Sequence, residues 1–448
     1  MRVAIVGGGI SGLSLAERLA EMGAEPLVLE REGRVGGRIA TREKEGFLLE
    51  VGPNGFLDSA PKTIELAERI GLSPKLRRAG PEAKRRWLYL RGALRQVPSG
   101  PKEFLTSDIL PLSAKLRLAL EPFSRRARTP DESVASFGRR HLGARATRDL
   151  LSAIVLGIHA GDAETLSLPA CFPRMAALER EHRSLVLAMM RLGRGGAPSG
   201  TLTNVEGGME GFVQGLAARL GEAVRTRVTV DEVRREDGSF VLAVSDDEGR
   251  HEIRADAVAI TTPAAEAARL VSPFDPEVAK RALAIPYAPM AVVHLGWPRE
   301  RIAHPLDGFG FLVPPHEGRG ILGAIFVSTV FPWKAPPGQA LFTVMVGGAV
   351  APERARLPEA SLVDLAVSEL SDIVGAAGSP TIAEVVRWDQ AIPQYVVGHQ
   401  AMVEEVDRRM ARLEGMYLGG DAWKGIGIND CISAAEPLAR RILQQSRR

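Results

Sequence analysis

The chain has 448 residues, of which 45% are hydrophobic and 25% are charged, and its formal net charge is +3. That length predicts two or three domains, and so small a net charge does not indicate a nucleic-acid partner. Two cysteines, Cys171 and Cys431, exclude a disulfide framework and argue against a metal site built on cysteine, so we expect a reducing, cytoplasmic compartment.

The first predicted element is a strand over residues 2–6, followed by a glycine-rich turn and a helix over residues 13–22. This apolar start is too short for a signal peptide, and no apolar run in the chain reaches the ~18 residues of a membrane span. The turn reads Gly7-Gly8-Gly9-Ile10-Ser11-Gly12, the G-x-G-x-x-G pattern of dinucleotide-binding folds. Gly7 permits the tight turn, Gly9 admits a pyrophosphate, and Gly12 lets the helix pack on the strand.

A second strand over residues 26–29 ends at Glu30, which is placed to accept hydrogen bonds from a ribose. Arg31 follows, and then the second glycine pair Gly36-Gly37 with Arg38, which suits a cofactor that extends past its pyrophosphate. A strand over residues 47–51 leads to the turn Gly52-Pro53-Asn54-Gly55, which we expect beside a flavin ring. These features favour FAD over NAD.

The carboxyl-terminal segment repeats the arrangement of strand, glycine turn and helix. A strand ends at Gly420 and Asp421, and the turn Gly425-Ile426-Gly427 precedes a helix over residues 431–444. We expect the first and last segments of the chain to meet around the same cofactor.

The middle of the chain contains strands and then helices. Residues 85–90 and 93–97 predict a hairpin, and residues 309–313, 321–328 and 341–346 predict strands that are apolar on both faces. Residues 113–123 form an amphipathic stretch beside Arg125, Arg126 and Arg128, and residues 193–199 predict a flexible loop. A basic amphipathic region fits either a membrane surface or a solvated helix face, and the residues alone leave both open.

Eight segments carry a resemblance to a known family. The chain is similar to the flavin amine oxidase superfamily, and within it resembles the oxygen-dependent protoporphyrinogen oxidases of bacterial type. The segments are residues 7–12 with 36–38, 52–57, 84–89, 157–162, 308–314, 345–348, 392–395 and 417–431. Asp421 departs from this pattern, because bacterial relatives can carry an uncharged residue there.

The resemblance implies an α/β fold with three parts. These are a discontinuous Rossmann-like FAD-binding domain (1–80, 202–285 and 376–448), a mixed-sheet substrate domain (81–98 and 286–375) and an α-helical, membrane-associated domain (99–201). It further implies one non-covalent FAD per chain, with Val230 at the adenine and Trp388 among the cofactor residues. The partners implied are a porphyrinogen, O2 and, peripherally, the inner face of the cell membrane, and we also consider a homodimer.

The reaction implied is a six-electron oxidation of protoporphyrinogen IX in haem biosynthesis, with O2 as acceptor and H2O2 as product. No catalytic side chain and no metal is expected, because the flavin N5 accepts the hydride and the eight histidines do not fall at metal-ligand spacings. We assign Arg86 to a substrate propionate, since a guanidinium binds a carboxylate bidentately. The other substrate-site residues assigned are Gly157, Phe309, Gly310, Leu312, Ile325 and Met345.

Three other functions remain open. Coproporphyrinogen III oxidation would require further cations for the additional carboxylates. A flavin amine oxidase would show an aromatic cage and a covalent flavin link, for which Cys431 lies in the wrong place. An FAD-binding scaffold or electron-transfer protein would show no reduction of its flavin by a porphyrinogen.

Overall fold

The computed structural model describes residues 1–125, 127, 129–182, 184–192 and 200–445. Arg126, Arg128 and the predicted loop 193–199 lie outside the described residues.

The strands follow in chain order. They are β1 (Arg2–Val6), β2 (Glu25–Leu29), β3 (Thr41–Lys44), β4 (Phe47–Glu50), β5 (Phe56–Leu57), β6 (Leu76–Arg78), β7 (Trp87–Leu90), β8 (Ala93–Gln96), β9 (Leu202–Val205), β10 (Val224–Arg225), β11 (Thr229–Glu236), β12 (Ser239–Asp246), β13 (Gly249–Ala255), β14 (Ala257–Ile260), β15 (Tyr287–Pro298), β16 (Gly310–Leu312), β17 (Gly323–Phe326), β18 (Gln339–Gly347), β19 (Ile382–Pro393) and β20 (Met416–Leu418).

The α-helices connect these strands, and a π-helical turn (Thr147–Leu151) leads into α7. They are α1 (Ile10–Glu21), α2 (Pro61–Arg69), α3 (Pro101–Thr106), α4 (Leu112–Ala119), α5 (Val134–His141), α6 (Ala144–Ala146), α7 (Ser152–His159), α8 (Leu168–Cys171), α9 (Pro173–His182), α10 (Leu185–Leu192), α11 (Glu210–Leu220), α12 (Ala264–Val271), α13 (Pro276–Leu283), α14 (Val327–Val330), α15 (Glu359–Val374), α16 (His399–Met410) and α17 (Ile428–Gln445).

A parallel five-stranded sheet, in the order β10-β2-β1-β14-β20, forms one half of the molecule. Successive residues of β1 point to opposite faces: Val3 and Ile5 pack against α1 and α17, whereas Ala4 and Val6 pack toward β11–β13 and α12. Burial on both faces is typical of a parallel sheet covered by other layers. Its strands come from the beginning, middle and end of the chain, so the prediction that the first and last segments meet is confirmed.

A mixed seven-stranded sheet, in the order β19-β15-β18-β17-β16-β7-β8, forms the second half. The predicted hairpin is present as β7 and β8, which pair antiparallel. One face of this sheet packs on α15 through a buried cluster that includes Phe311, Phe326 and Phe342. Strand β19 lies in the segment 376–448 that we assigned to the FAD-binding domain, yet it pairs along its length with β15. The backbone groups on the β15 side of this twelve-residue edge strand are satisfied by the pairing, which local sequence does not reveal.

Helices α3–α10 lie between β8 and β9, where the sequence predicts a helical region. The amphipathic stretch 113–123 is interrupted, because Pro122 cannot continue a helix and the chain forms a short 3₁₀ turn, Glu121–Phe123. None of the helices in the described part of the chain has both the length and the apolar composition needed to cross a membrane.

Candidate functional site

A cavity of about 1660 Å³ lies between the two sheets and is larger than the ~300–1,000 Å³ of most ligand pockets. Its walls contain most of the residues predicted to bind the cofactor. These lining residues are Gly7, Gly9, Ile10, Ser11, Glu30, Arg31, Gly37, Arg38, Gly52, Pro53, Asn54, Gly55, Val230, Trp388, Asp421, Gly425, Ile426 and Gly427. The structure therefore brings three distant chain segments to one place.

Three of the four glycines in the first turn have a distinct structural reason. Gly7 has φ +108°, a left-handed conformation that other residues rarely adopt. A Cβ on Gly12 would stand 2.0 Å from the Gly7 carbonyl oxygen, so α1 can approach β1 only without a side chain there. A Cβ on Gly9 would meet nothing within 4 Å and would instead fill the space in front of the helix N-terminus. That open cradle, beside free N–H groups, fits a pyrophosphate.

Glu30 is buried at the end of β2 and holds the turn in place. Its carboxylate accepts hydrogen bonds from the Gly8 N–H at 2.7 Å and the Glu32 N–H at 2.9 Å. Each carboxylate oxygen can accept more than one hydrogen bond, so Glu30 retains acceptor positions for a ribose. Gly8 and Gly12 themselves do not line the cavity.

The second glycine pair packs directly on the first turn. The Gly36 N–H donates to the Gly8 carbonyl at 2.8 Å, and Gly36 pairs with Gly9 in an isolated β-bridge. Arg38, which follows, donates to Asp421 Oδ2 at 2.7 Å and to the Gln390 carbonyl at 2.8 Å. Burial raises the pKa of Asp421, and the Arg38 guanidinium opposes that rise.

The loop formed by residues 51–55 closes another side of the cavity. A Cβ on Gly52 would lie 2.1 Å from the Arg38 carbonyl oxygen, so the loop and the second glycine pair are in close contact. Trp388 donates from Nε1 to the Val51 carbonyl at 2.9 Å. The cavity-facing side of β19 therefore supports this loop.

The carboxyl-terminal turn begins α17 earlier than the sequence predicts, at Ile428 rather than at residue 431. The Asp430 carboxylate accepts a hydrogen bond from the Gly427 N–H at 3.1 Å, which stabilises the helix start. Gly420 does not line the cavity, but Asp430 and Cys431 do. Burial raises the pKa of the Cys431 thiol to about 12.

Val230 also lines the cavity, and its backbone carbonyl already accepts a hydrogen bond. Arg269 donates to it from Nη2 at 2.6 Å, and Arg269 Nε donates to Glu266 Oε1 at 3.0 Å. The sequence did not indicate Arg269, because an arginine on a helix face is usually solvated.

Two of the predicted substrate residues, Gly157 and Met345, line the cavity. Arg86, Phe309, Gly310, Leu312 and Ile325 do not.

The register of the sheet relates several of these residues to the cavity wall. Ile325 pairs with Thr343, which lines the cavity, and Gly310 pairs with Ile325, so all three share one sheet face. Leu312 contacts Gly157, since a Cβ there would lie 2.8 Å from its methyl group. Arg86 is exposed, with its guanidinium carbon 5.7 Å from the centre of the Phe309 ring. The substrate-binding roles of Arg86, Gly310, Leu312 and Ile325 stay predictions.

Several lining residues were not assigned roles from the sequence, although some lie in the segments that carry the resemblance. Tyr395 stacks on His399 at 4.0 Å and donates its hydroxyl to the Asp421 carbonyl. Burial raises the pKa of Tyr395 and lowers that of His159 to about 4, so both side chains are neutral at pH 7. His159 lies in segment 157–162 and Tyr395 in segment 392–395, so the segments that carry the resemblance could have indicated both residues.

Comparison with known proteins places this geometry in a family. Residues 10–443 match the family described as flavin containing amine oxidoreductase. The chain is 30% identical to the chloroplastic protoporphyrinogen oxidase of Nicotiana tabacum, over 98% of this chain and 84% of that protein. It is 27% identical to the coproporphyrinogen III oxidase of Bacillus subtilis (strain 168), over 96% and 95% of the two chains. A crystal structure from Exiguobacterium sp. 255-15, provisionally named a protoporphyrinogen oxidase, superposes with a TM-score of 0.87 at 25% identity, covering 100% of this chain and 99% of that one.

Proposed function

The chain belongs to the family of flavin-containing amine oxidoreductases, and from that premise we propose that it is an FAD-dependent oxidase that converts protoporphyrinogen IX to protoporphyrin IX. The observation that carries the proposal is the cavity, in which glycine turns line one part and an apolar sheet face lines another. Similarity to relatives named for porphyrinogen oxidation supports the substrate class.

The fit of FAD rests on the open cradle at Gly9 and the remaining acceptor positions of Glu30. Arg38, Asp421 and the turn 425–427 would hold the middle of the cofactor, and the loop 51–55 with Trp388 would face its flavin end. A protonated Cys431 is a poor nucleophile, which supports one non-covalent FAD per chain. When bound, the flavin supplies the electron acceptor for each two-electron oxidation.

The choice of protoporphyrinogen over coproporphyrinogen rests on charge. Among the described residues, the lysine and arginine side chains that line the cavity are Arg31, Arg34, Arg38 and Lys424, all in the glycine-turn segments. The sheet face with Thr343 and Met345 contributes no cation, which suits the substrate with fewer carboxylates. Arg86, whose guanidinium lies over the Phe309 ring outside the cavity lining, is our candidate for a propionate at the substrate edge.

The protein's own part in the chemistry is to exclude water and to hold the macrocycle. His159 stays neutral and is too weakly basic to remove a proton at pH 7. We infer that the pyrrole N–H groups lose their protons without a dedicated side-chain base, because the charge is released within the macrocycle. Three O2 would accept the six electrons and six protons and give three H2O2.

We also propose that the protein binds peripherally to the cytoplasmic face of the membrane. We define the apolar patch as the exposed side chains of the α3–α4 region, namely Leu105, Leu112, Leu116, Leu120 and Phe123. Phe123 is 81% exposed and Leu112 is 72% exposed, and Arg125 follows the patch. An exposed apolar cluster flanked by basic residues suits an anionic lipid surface.

The test is oxidation of protoporphyrinogen IX and coproporphyrinogen III by the purified protein, followed by porphyrin fluorescence and H2O2 release. We expect a yellow protein and faster turnover of protoporphyrinogen. Equal or faster turnover of coproporphyrinogen would overturn the substrate choice. A flavin that neither compound reduces anaerobically would favour a scaffold, and H2O2 release with amines alone would favour an amine oxidase.

A further inference from the structure

A fully buried ion pair lies behind the cavity. The side chains of Lys334 and Glu50 are 0% and 1% exposed, and Lys334 Nζ donates to Glu50 Oε1. Neither residue lines the cavity. Replacing a buried ion pair by well-packed apolar residues is often neutral or stabilising, so a pair placed here requires a reason beyond packing.

The Glu50 carboxylate is the centre of a hydrogen-bond cluster. Oε1 also accepts from Asn204 Nδ2 and from the Met209 N–H, each at 2.9 Å. Oε2 accepts from Thr41 Oγ1 at 2.9 Å. One carboxylate therefore joins β3, β9 and the start of α11 to Lys334, while the Lys334 ammonium also lies 5.3 Å from the centre of the Phe331 ring.

Asn204 connects this cluster to the cavity wall. Its amide donates one hydrogen to Glu50 and the other to the Asn54 carbonyl at 2.8 Å. Glu50 is the last residue of β4, and the loop 51–55 follows it directly along the cavity. The Glu50 carboxylate therefore acts on both ends of the loop. Glu50 itself directly precedes the loop, and Asn204, which the carboxylate binds, holds the Asn54 carbonyl near the other end.

We propose that Glu50 and Lys334 are positioning residues, which act through Asn204 to keep the loop 51–55 in the conformation that binds the flavin. Without Lys334, Glu50 would be an uncompensated buried charge that must take up a proton or admit water. Either change would weaken its hold on Asn204. The inference rests on the proposed FAD site but not on the identity of the substrate.

The experiment measures FAD affinity and the visible flavin spectrum of the full chain at a temperature where every variant is folded. We expect Lys334→Met and Asn204→Leu each to weaken FAD binding about tenfold, the size expected for losing a hydrogen bond to a charged group, and to shift the flavin bands. The two changes should be non-additive, because they break one chain of contacts. Glu50→Gln combined with Lys334→Met removes both charges but keeps an acceptor for Asn204, so it should restore much of the affinity.

Arg69→Met is the control, since it also removes a cation from a buried carboxylate outside the cavity lining, Glu17, which keeps Arg219 at 3.5 Å. It should leave FAD affinity and spectrum unchanged. The proposal would be overturned if Lys334→Met and Asn204→Leu melt at lower temperatures but keep the parental FAD affinity and flavin spectrum. Should Lys334→Met fail to fold, parental affinity in Asn204→Leu would overturn it equally. A parent chain that binds no FAD would instead refute the proposed cofactor.

Discussion

Arg38 and Asp421 form an ion pair of 2.7 Å although 383 positions separate them in the sequence. The same guanidinium donates to the Gln390 carbonyl of β19, so it joins the second glycine pair, the seven-stranded sheet and the carboxyl-terminal segment. All three segments line the cavity. This one side chain therefore connects the parallel sheet to the seven-stranded sheet at the place where FAD is proposed to bind.

We expect Arg38→Met to weaken FAD binding and to lower the free energy of unfolding by about 2 kcal/mol, because it removes hydrogen bonds that involve a charged group. It also leaves Asp421, whose pKa burial already raises, without its cation. Denaturant unfolding and FAD titration would measure the two effects.

Arg42→Met provides the control for this prediction. Arg42 pairs with Glu384 of β19 and so also joins the amino-terminal segment to the seven-stranded sheet, but its side chain is 52% exposed. An exposed pair contributes only ~0–1 kcal/mol. Equal losses in the two variants would contradict a special role for Arg38.

The sequence predicted those parts of the site that local rules govern. The turn at Gly7–Gly12, the hairpin β7–β8 and the glycine turn before α17 each follow from residue types at fixed spacing. The position of β19 in the second sheet did not follow, because partner choice in a sheet is set by contacts far apart in the chain. The Lys334–Glu50 pair was equally hidden, since charged residues are expected at the surface.

Arg86→Ala should raise the KM for the porphyrinogen about tenfold, with FAD affinity unchanged, if its guanidinium binds a propionate. Arg86→Lys should recover part of that loss, because an ammonium carries the charge but not the bidentate geometry. Steady-state fluorescence assays give both constants.

Arg85→Ala is the neighbouring control. Arg85 is already paired with Asp307, so its removal should leave the KM near the parental value. An unchanged KM in Arg86→Ala would remove Arg86 from the substrate site.

His159 predicts a pH dependence of stability. Burial lowers its folded pKa to about 4, and both ring nitrogens lack a hydrogen-bond partner among the described residues. The unfolded chain, with an ordinary histidine pKa of 6.5, binds the proton more readily, so stability is lost as pH falls from the unfolded pKa toward the folded one. At about pH 5 this loss amounts to about 2 kcal/mol relative to neutral pH.

His159→Phe should remove that part of the acid destabilisation, as measured by urea unfolding at about pH 7.5 and about pH 5. The ring packs edge-on against Phe172 at 5.4 Å, a contact that phenylalanine can keep. His251→Gln, at an exposed histidine, should retain the parental pH dependence. The same acid loss in His159→Phe would show that other groups cause it.

The apolar patch predicts lipid binding that a single charge can weaken. Phe123→Glu or Leu112→Glu should reduce cosedimentation with anionic phospholipid vesicles about tenfold, because each puts a charge where an apolar side chain would enter the lipid. Leu283→Glu is the matched control, since Leu283 on α13 is 66% exposed but lies outside the patch. Equal loss of binding in all three variants would mean that added negative charge alone repels the vesicles. Parental binding in the two patch variants would refute the patch as the membrane surface.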